Sequence, residues 1–169
     1  MKKKSLKSSK KGTYVSIMAG AIIIGIVIII SYYTDQAKIS GQRFGNDLEQ
    51  IQSDLKKIAS EYESNFTMWE EGRLTKQEIL EISDNYLIEL EKIISRYGEL
   101  TPPPSFAPSL DLFKRSVESQ LESDRMLKEW IQTGDNAAKI KSDELLQQAF
   151  EYETSALASF NRAKISNTQ

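Results

Sequence analysis

"FGNDLEQIQSDLKKIASEYESNFTMW", Phe44 to Trp69, is the stretch on which the fold turns. Phe44, Leu48, Ile51, Leu55, Ile58, Tyr62 and Trp69 keep to alternating steps of four and three, interrupted only by the polar Asn65. Steps of that size return to one face of an α-helix, whereas a half-buried strand would alternate every second residue. A long amphipathic helix is therefore expected here, and its apolar stripe requires partners to cover it.

The chain beyond Trp69 supplies them. Gly72-Arg73-Leu74-Thr75 breaks the first helix, and Thr75-Lys76-Gln77-Glu78 has the form of a capping box, in which threonine and glutamate satisfy each other's free backbone amides. A second helix carries Ile79, Ile82, Tyr86, Leu90, Ile93 and Tyr97 and stops at Gly98. "LTPPPSFAPS", Leu100 to Ser109, must run extended, because consecutive prolines lack backbone donors and restrict their neighbours. A third helix from about Pro108 presents Leu110, Phe113, Val117, Leu121, Leu127 and Ile131 and ends at "TGDNA", where Gly134 suits the left-handed position and Asp135 or Asn136 the next cap. The fourth, roughly Asn136 to Lys164, presents Ala138, Leu145, Ala149, Tyr152, Ala156, Phe160 and Ala163, an alanine-rich face that permits close approach. No strand pattern competes. The expected fold is all-α, with residues 44–165 forming an up-down four-helix bundle of small-angle, left-handed packing and 166–169 a tail.

In the other direction the composition changes abruptly. "GTYVSIMAGAIIIGIVIIISYYTD", Gly12 to Asp35, has no charge between Lys11 and Asp35, and Thr13 to Tyr33 contains eight isoleucines with tyrosines at both ends. A helix of that length crosses a hydrocarbon core of about 30 Å, and tyrosine rings favour the headgroup level. Residues 13–33 are thus expected to be a transmembrane helix that binds the lipid bilayer, with 34–43 a linker or helix extension. A cleaved signal peptide is the main rival, but the run is longer than such a segment and ends in Ser31-Tyr32-Tyr33, which is no small-x-small cleavage site. Six lysines in the first eleven residues, against Lys38 and Arg43 soon after the run, predict that residues 1–12 are cytoplasmic and the C-terminal part extracytoplasmic. Ser16-x-x-x-Gly20 and Ala21-x-x-x-Gly25 place small residues at helical spacing and could support a homodimer through the span.

Charge and composition exclude several functions. After residue 33, 16 basic residues face 24 acidic ones, a formal balance of −8, which argues against binding to a nucleic-acid backbone. With neither histidine nor cysteine in the chain, the commonest general base, the usual zinc ligands, the Glu-x-x-His di-iron pattern, disulfides and a lipid-modified cysteine are all excluded. The carboxylates Glu49, Glu61, Glu63, Glu78, Glu81 and Glu91 lack the Asp-x-Asp-x-Asp-Gly spacing of a calcium loop and read as solvated surface. No enzymatic activity, cofactor or metal is expected.

A few residues break their local pattern. Gln120 and Asp124 lie on or beside the apolar stripe of the third helix, and Glu153 follows Tyr152 on the fourth. A buried carboxylate needs a partner, and Arg115 and Arg125 are near in sequence, so an interhelical polar link that sets register is one reading and a ligand-sensing pocket the other. Trp69 and Trp130 stand a few residues before Gly72 and Gly134, turns that an up-down topology puts at the end far from the membrane. They either cap the core there or form a partner-binding tip, since tryptophan is enriched at interaction hot spots. Asn65-Phe66-Thr67 matches a glycosylation acceptor, though within a predicted helix.

The lysine-rich start, the single apolar span and "PPPSFAPSLDLFKRSVESQ", Pro102 to Gln120, feeding a long helix and an alanine-rich final one, are similar to a loose class of prokaryotic membrane-anchored or lipoprotein helical domains. The similarity covers mainly residues 100–165. It implies an extracytoplasmic bundle without a known activity, in which the isoleucine-rich span would suit an archaeal host, and it transfers no functional residue. Two functions fit: a structural or interaction module that docks an envelope protein, or a sensory, ligand-binding domain that signals through a separate partner.

Overall fold

The computed structural model describes residues 38–166. The Phe44–Trp69 stripe lies on helix α1, Lys38–Glu70, so residues 38–43 extend the helix rather than link to it. Residues 1–12, the apolar run at 13–33 and the last three residues lie outside the described part. Among the described residues no helix is long and apolar enough to cross a membrane.

Each further helix begins and ends where local chemistry requires. At Gly72, with φ of 75°, Arg73 N–H donates to Met68 C=O at 2.8 Å and Gly72 N–H to Trp69 C=O at 2.9 Å, the paired closure that a left-handed glycine makes possible. Helix α2, Lys76–Glu99, opens on the capping box: Glu78 N–H donates to Thr75 Oγ1 at 3.2 Å, and Thr75 N–H donates to Glu78 Oε2 at 2.7 Å. Thr75 N–H, together with the Thr75 hydroxyl that also donates to Glu78 Oε2 at 2.7 Å, holds the Glu78 carboxyl below its usual pKa. The expected extended path is confined to residues 100–103: Pro104–Phe106 turns once as a 3-10 helix, and α3, Ala107–Thr133, already takes in Pro108 and Ser109, because proline is tolerated in the first turn of a helix, where its missing N–H would have no partner. Gly134, with φ of 78°, ends α3 by donating to Trp130 C=O at 2.8 Å, and Asp135 Oδ1 caps α4, Asn136–Ser166, by accepting from Ala137 N–H at 2.9 Å.

Consecutive helices run antiparallel, as their cross-links record. Tyr62 meets Ser83 while Gln52 meets Tyr97. Lys76 Nζ reaches Gln132 C=O at 2.6 Å, whereas Glu91 meets Arg125. Ser123 meets Ser142, and Ser116 meets Ala149. The described chain is all-helical, with four α-helices and no strand, and is compatible with a helical bundle.

One core threads all four helices. Leu48, Ile79, Leu90 and Ala156 are fully excluded from solvent, with Ile51, Leu55, Ile93, Phe113 and Val117 nearly so. Burying each of these larger side chains contributes about 1.5 to 3 kcal/mol. Stripe positions expected to be core are in part shallower: Ile58, Trp69, Ile82, Leu127, Leu145 and Tyr152 are half-buried, while Gln52, Ser83, Ser116, Ser123 and Ser142 are buried in their stead. Phe106 links Phe44 and Phe160, with ring centroids 5.9 and 4.9 Å away, and closes the core at the end where α1 begins. The Trp69 and Trp130 rings close the other end.

Candidate functional site

The interior contains polar side chains at two levels. At the first, Gln120 and Asp124, one turn apart on α3, face Tyr86 of α2. Gln120 Nε2 donates to Tyr86 Oη at 2.8 Å, and the Tyr86 hydroxyl hydrogen-bonds the Asp124 carboxyl. Tyr62 of α1 stacks on Tyr86, with centroids 4.2 Å apart and planes 8° from parallel. Ser83 Oγ donates to Ile79 C=O at 2.7 Å; its single proton is thereby used, so Tyr62 donates to Ser83 Oγ across 3.0 Å. Gln120, Asp124, Tyr86, Tyr62 and Ser83 form one contiguous group drawn from three helices.

Electrostatically, Asp124 stands out. It is 2% exposed, and its Oδ2 is buried with no hydrogen-bond partner. Burial pushes its pKa up to about 8 despite the Tyr86 bond, and burial, reinforced by the Asp124 charge, raises both Tyr62 and Tyr86 well above the ordinary phenol. The arginines nearest in sequence do not neutralise it. Arg125 binds Glu122 and Glu91, and Arg115 binds Asp111.

The second level is built around Tyr97 of α2, whose hydroxyl accepts from Gln52 Nε2 of α1 at 2.5 Å. Glu153 of α4 faces this tyrosine and, by burial, has its pKa pushed up to about 7. The three polar residues singled out from sequence therefore do not form one link: Gln120 and Asp124 come together, and Glu153 belongs to a separate level. Both acids come from α3 or α4. The phenols come from α1 and α2 at the first level, Tyr62 and Tyr86, and from α2 alone at the second, Tyr97.

Sequence reasoning did not single out Tyr62, Ser83, Tyr86, Gln52 or Tyr97 as polar partners, because each sits where an apolar residue would serve. The available signal was that three tyrosines fall on the buried stripes, and buried phenol hydroxyls find partners.

Trp69 and Trp130 meet edge to face, 5.8 Å between centroids at 84°. Phe66 backs Trp69 at 5.4 Å, and Lys139 Nζ lies 5.1 Å from the Trp130 ring centre. Both indoles are half-buried against the core, so they cap it and still present part of their surface. Asn65, within α1, donates its amide to Glu61 C=O at 2.9 Å.

Chemically, the polar interior can hold and release protons. Among the described residues no group of three or more Asp or Glu side chains converges in a way that could hold a metal ion. Compared with known proteins, the chain matches no family model, no curated protein and no solved structure.

Proposed function

We propose that this protein is a membrane-anchored, extracytoplasmic up-down four-helix bundle of the loose prokaryotic class it resembles, serving as a structural or protein-interaction module of the cell envelope. Residues 13–33 are the anchor, the lysine-rich start stays in the cytoplasm, and an envelope protein is the partner. The observation that carries this reading is the Trp69–Trp130 pair, half-exposed at the end of the helices opposite the start of α1. An anchor that precedes α1 carries that aromatic tip away from the lipid, where a partner can reach it. Indole combines a large apolar area with a polar N–H, and such residues dominate interface energetics.

Fusion of a reporter at Gln169, active only outside the cytoplasm, tests the topology. Protease treatment of intact cells should remove the helical part and leave the lysine-rich start. For the tip, a photocrosslinker at Leu74, half-buried in the turn after Trp69, should give a discrete adduct that disappears in Trp69→Ala/Trp130→Ala while the variant retains its helical spectrum. A cytoplasmic reporter, or an adduct indifferent to both indoles, would remove the corresponding half of the proposal.

A second reading, a sensory domain that signals through a separate partner, is favoured by the buried Asp124 carboxyl, whose Oδ2 has no hydrogen-bond partner. A module that only needed packing would be at least as stable with an apolar residue there.

A further inference from the structure

We propose that Asp124 is a proton-operated latch between the two helical hairpins: as a neutral acid it lets α3 lie against α2, and loss of its proton separates α3–α4 from α1–α2. This does not depend on the anchor or on the tryptophan tip.

The joint between the hairpins is the α2–α3 contact. Its rim is tied by Arg125 to Glu91 at 2.6 Å, by Lys128 to Asp84 and by Lys76 to the Gln132 carbonyl. Its centre is Asp124, with Oδ2 unpartnered. The groups that face the carboxyl are the Tyr62 hydroxyl from α1, the Tyr86 hydroxyl from α2 and, on its own helix, the Gln120 amide bound to that same Tyr86 oxygen. Among the described residues α4 brings no charged group to it; there Ser123, one residue earlier, is bonded to the Ser142 carbonyl at 2.8 Å. The adjacent cations, Arg125 and Lys128, are directed to the rim.

A carboxylate in this position has one hydrogen-bond donor and no counter-charge, and an uncompensated buried charge is among the costliest features a core can hold. The bonds between Ser123 and Ser142 and between Ser116 and the Ala149 carbonyl hold α3 to α4. Those bonds are buried, whereas the ion pairs on the α2–α3 rim are largely exposed and contribute little each, so the α2–α3 joint opens in preference to the α3–α4 seam, and water reaches Oδ2. Because the closed joint holds this proton more tightly than an exposed carboxyl does, it loses stability as pH rises from the ordinary carboxylate value of about 3.9 through about 8.

The chain has no cysteine, so Ile88→Cys on α2 and Ile140→Cys on α4, both exposed positions, can carry a unique pair of spin labels in the full-length protein in non-ionic detergent. The expected result is a single inter-label distance at about pH 6 and a longer component that grows towards about pH 9. The longer component should vanish in Asp124→Asn, which mimics the neutral acid, and persist in Glu153→Gln. An unchanged distance across that range, or a change retained in Asp124→Asn, would overturn the latch. Infrared spectra of the Glu153→Gln protein serve even if Asp124→Asn fails to fold. A protonated carboxyl band present at about pH 6 and lost by about pH 9 agrees with the proposal, and its absence at about pH 6 refutes it.

Discussion

The two hairpins solve the same packing problem with different side chains. Between α1 and α2 the contact is made by large residues, among them Leu48, Leu55, Tyr62, Ile79, Leu90 and Tyr97, and the hydroxyls present bond to other side chains or within one helix. Between α3 and α4 the facing residues are small. Ser109, Ser116 and Ser123 recur every seven residues on one helix, and Ser142, Ala149, Ala156 and Ala163 every seven on the other. Backbones there come close enough for Ser116 and Ser123 to donate to the Ala149 and Ser142 carbonyls across the seam, both at 2.8 Å. Bulk holds the first hairpin together, and proximity the second. A change of side-chain size should therefore act in opposite senses in the two.

The largest effect is expected from removing bulk in the first hairpin. Leu90→Ala, at a fully buried position, should cost about 2 to 5 kcal/mol, read as a lower denaturation midpoint of the full-length protein, because a cavity is added to the lost transfer energy. Next comes added bulk in the second hairpin. Ala156→Leu, also fully buried, should cost about 1 to 3 kcal/mol by forcing the helices apart. If Ala156→Leu were neutral, the seam would have slack and the contrast would fail.

Ser123→Ala sharpens the comparison, since it removes the cross-seam bond while keeping the residue small. The loss should be about 0.5 to 1.5 kcal/mol. The Ser142 carbonyl remains inside a helix, so a loss much larger than this would mean that the hydroxyl, rather than close packing, holds the seam. The last change is one of pH dependence. Burial raises the Glu153 pKa to about 7, so the native state binds this proton more tightly than the unfolded chain does. Its contribution is full below the unfolded carboxylate pKa of about 4.3 and is lost as pH rises through about 7. Glu153→Gln should flatten the thermal midpoint over that window, and an unchanged slope would mean that Glu153 is solvated.

The helix ends were legible in the sequence because their causes are local. Thr75 and Glu78 are three residues apart and cap each other wherever the chain lies, and Gly72 and Gly134 take positive φ because residues with a Cβ resist it. The apolar stripes were equally legible, since the periodicity of four and three residues belongs to one helix. The serine seam is half visible: the alanines of α4 mark a close-approach face, but nothing in the sequence singles out Ser116 and Ser123 of α3 before α4 lies beside them. The same holds for the polar levels. Asp124 and Glu153 could be suspected from their place on or beside a stripe, but no sequence rule pairs Asp124 with Tyr86 across 38 positions.

What this chain determines by itself is thus the set of helices, their caps and turns, the acidic balance after residue 33, and the chemistries that the lack of histidine and cysteine removes. Only the tertiary structure decided which serines donate across helices, that the two acids lie at different levels, that Arg115 and Arg125 turn to other carboxylates, and that the two indoles meet. The physical reason is one of range. Backbone hydrogen bonding and side-chain periodicity act within a few residues, whereas the desolvation that raises the pKa of Asp124 is the sum of what three other helices exclude.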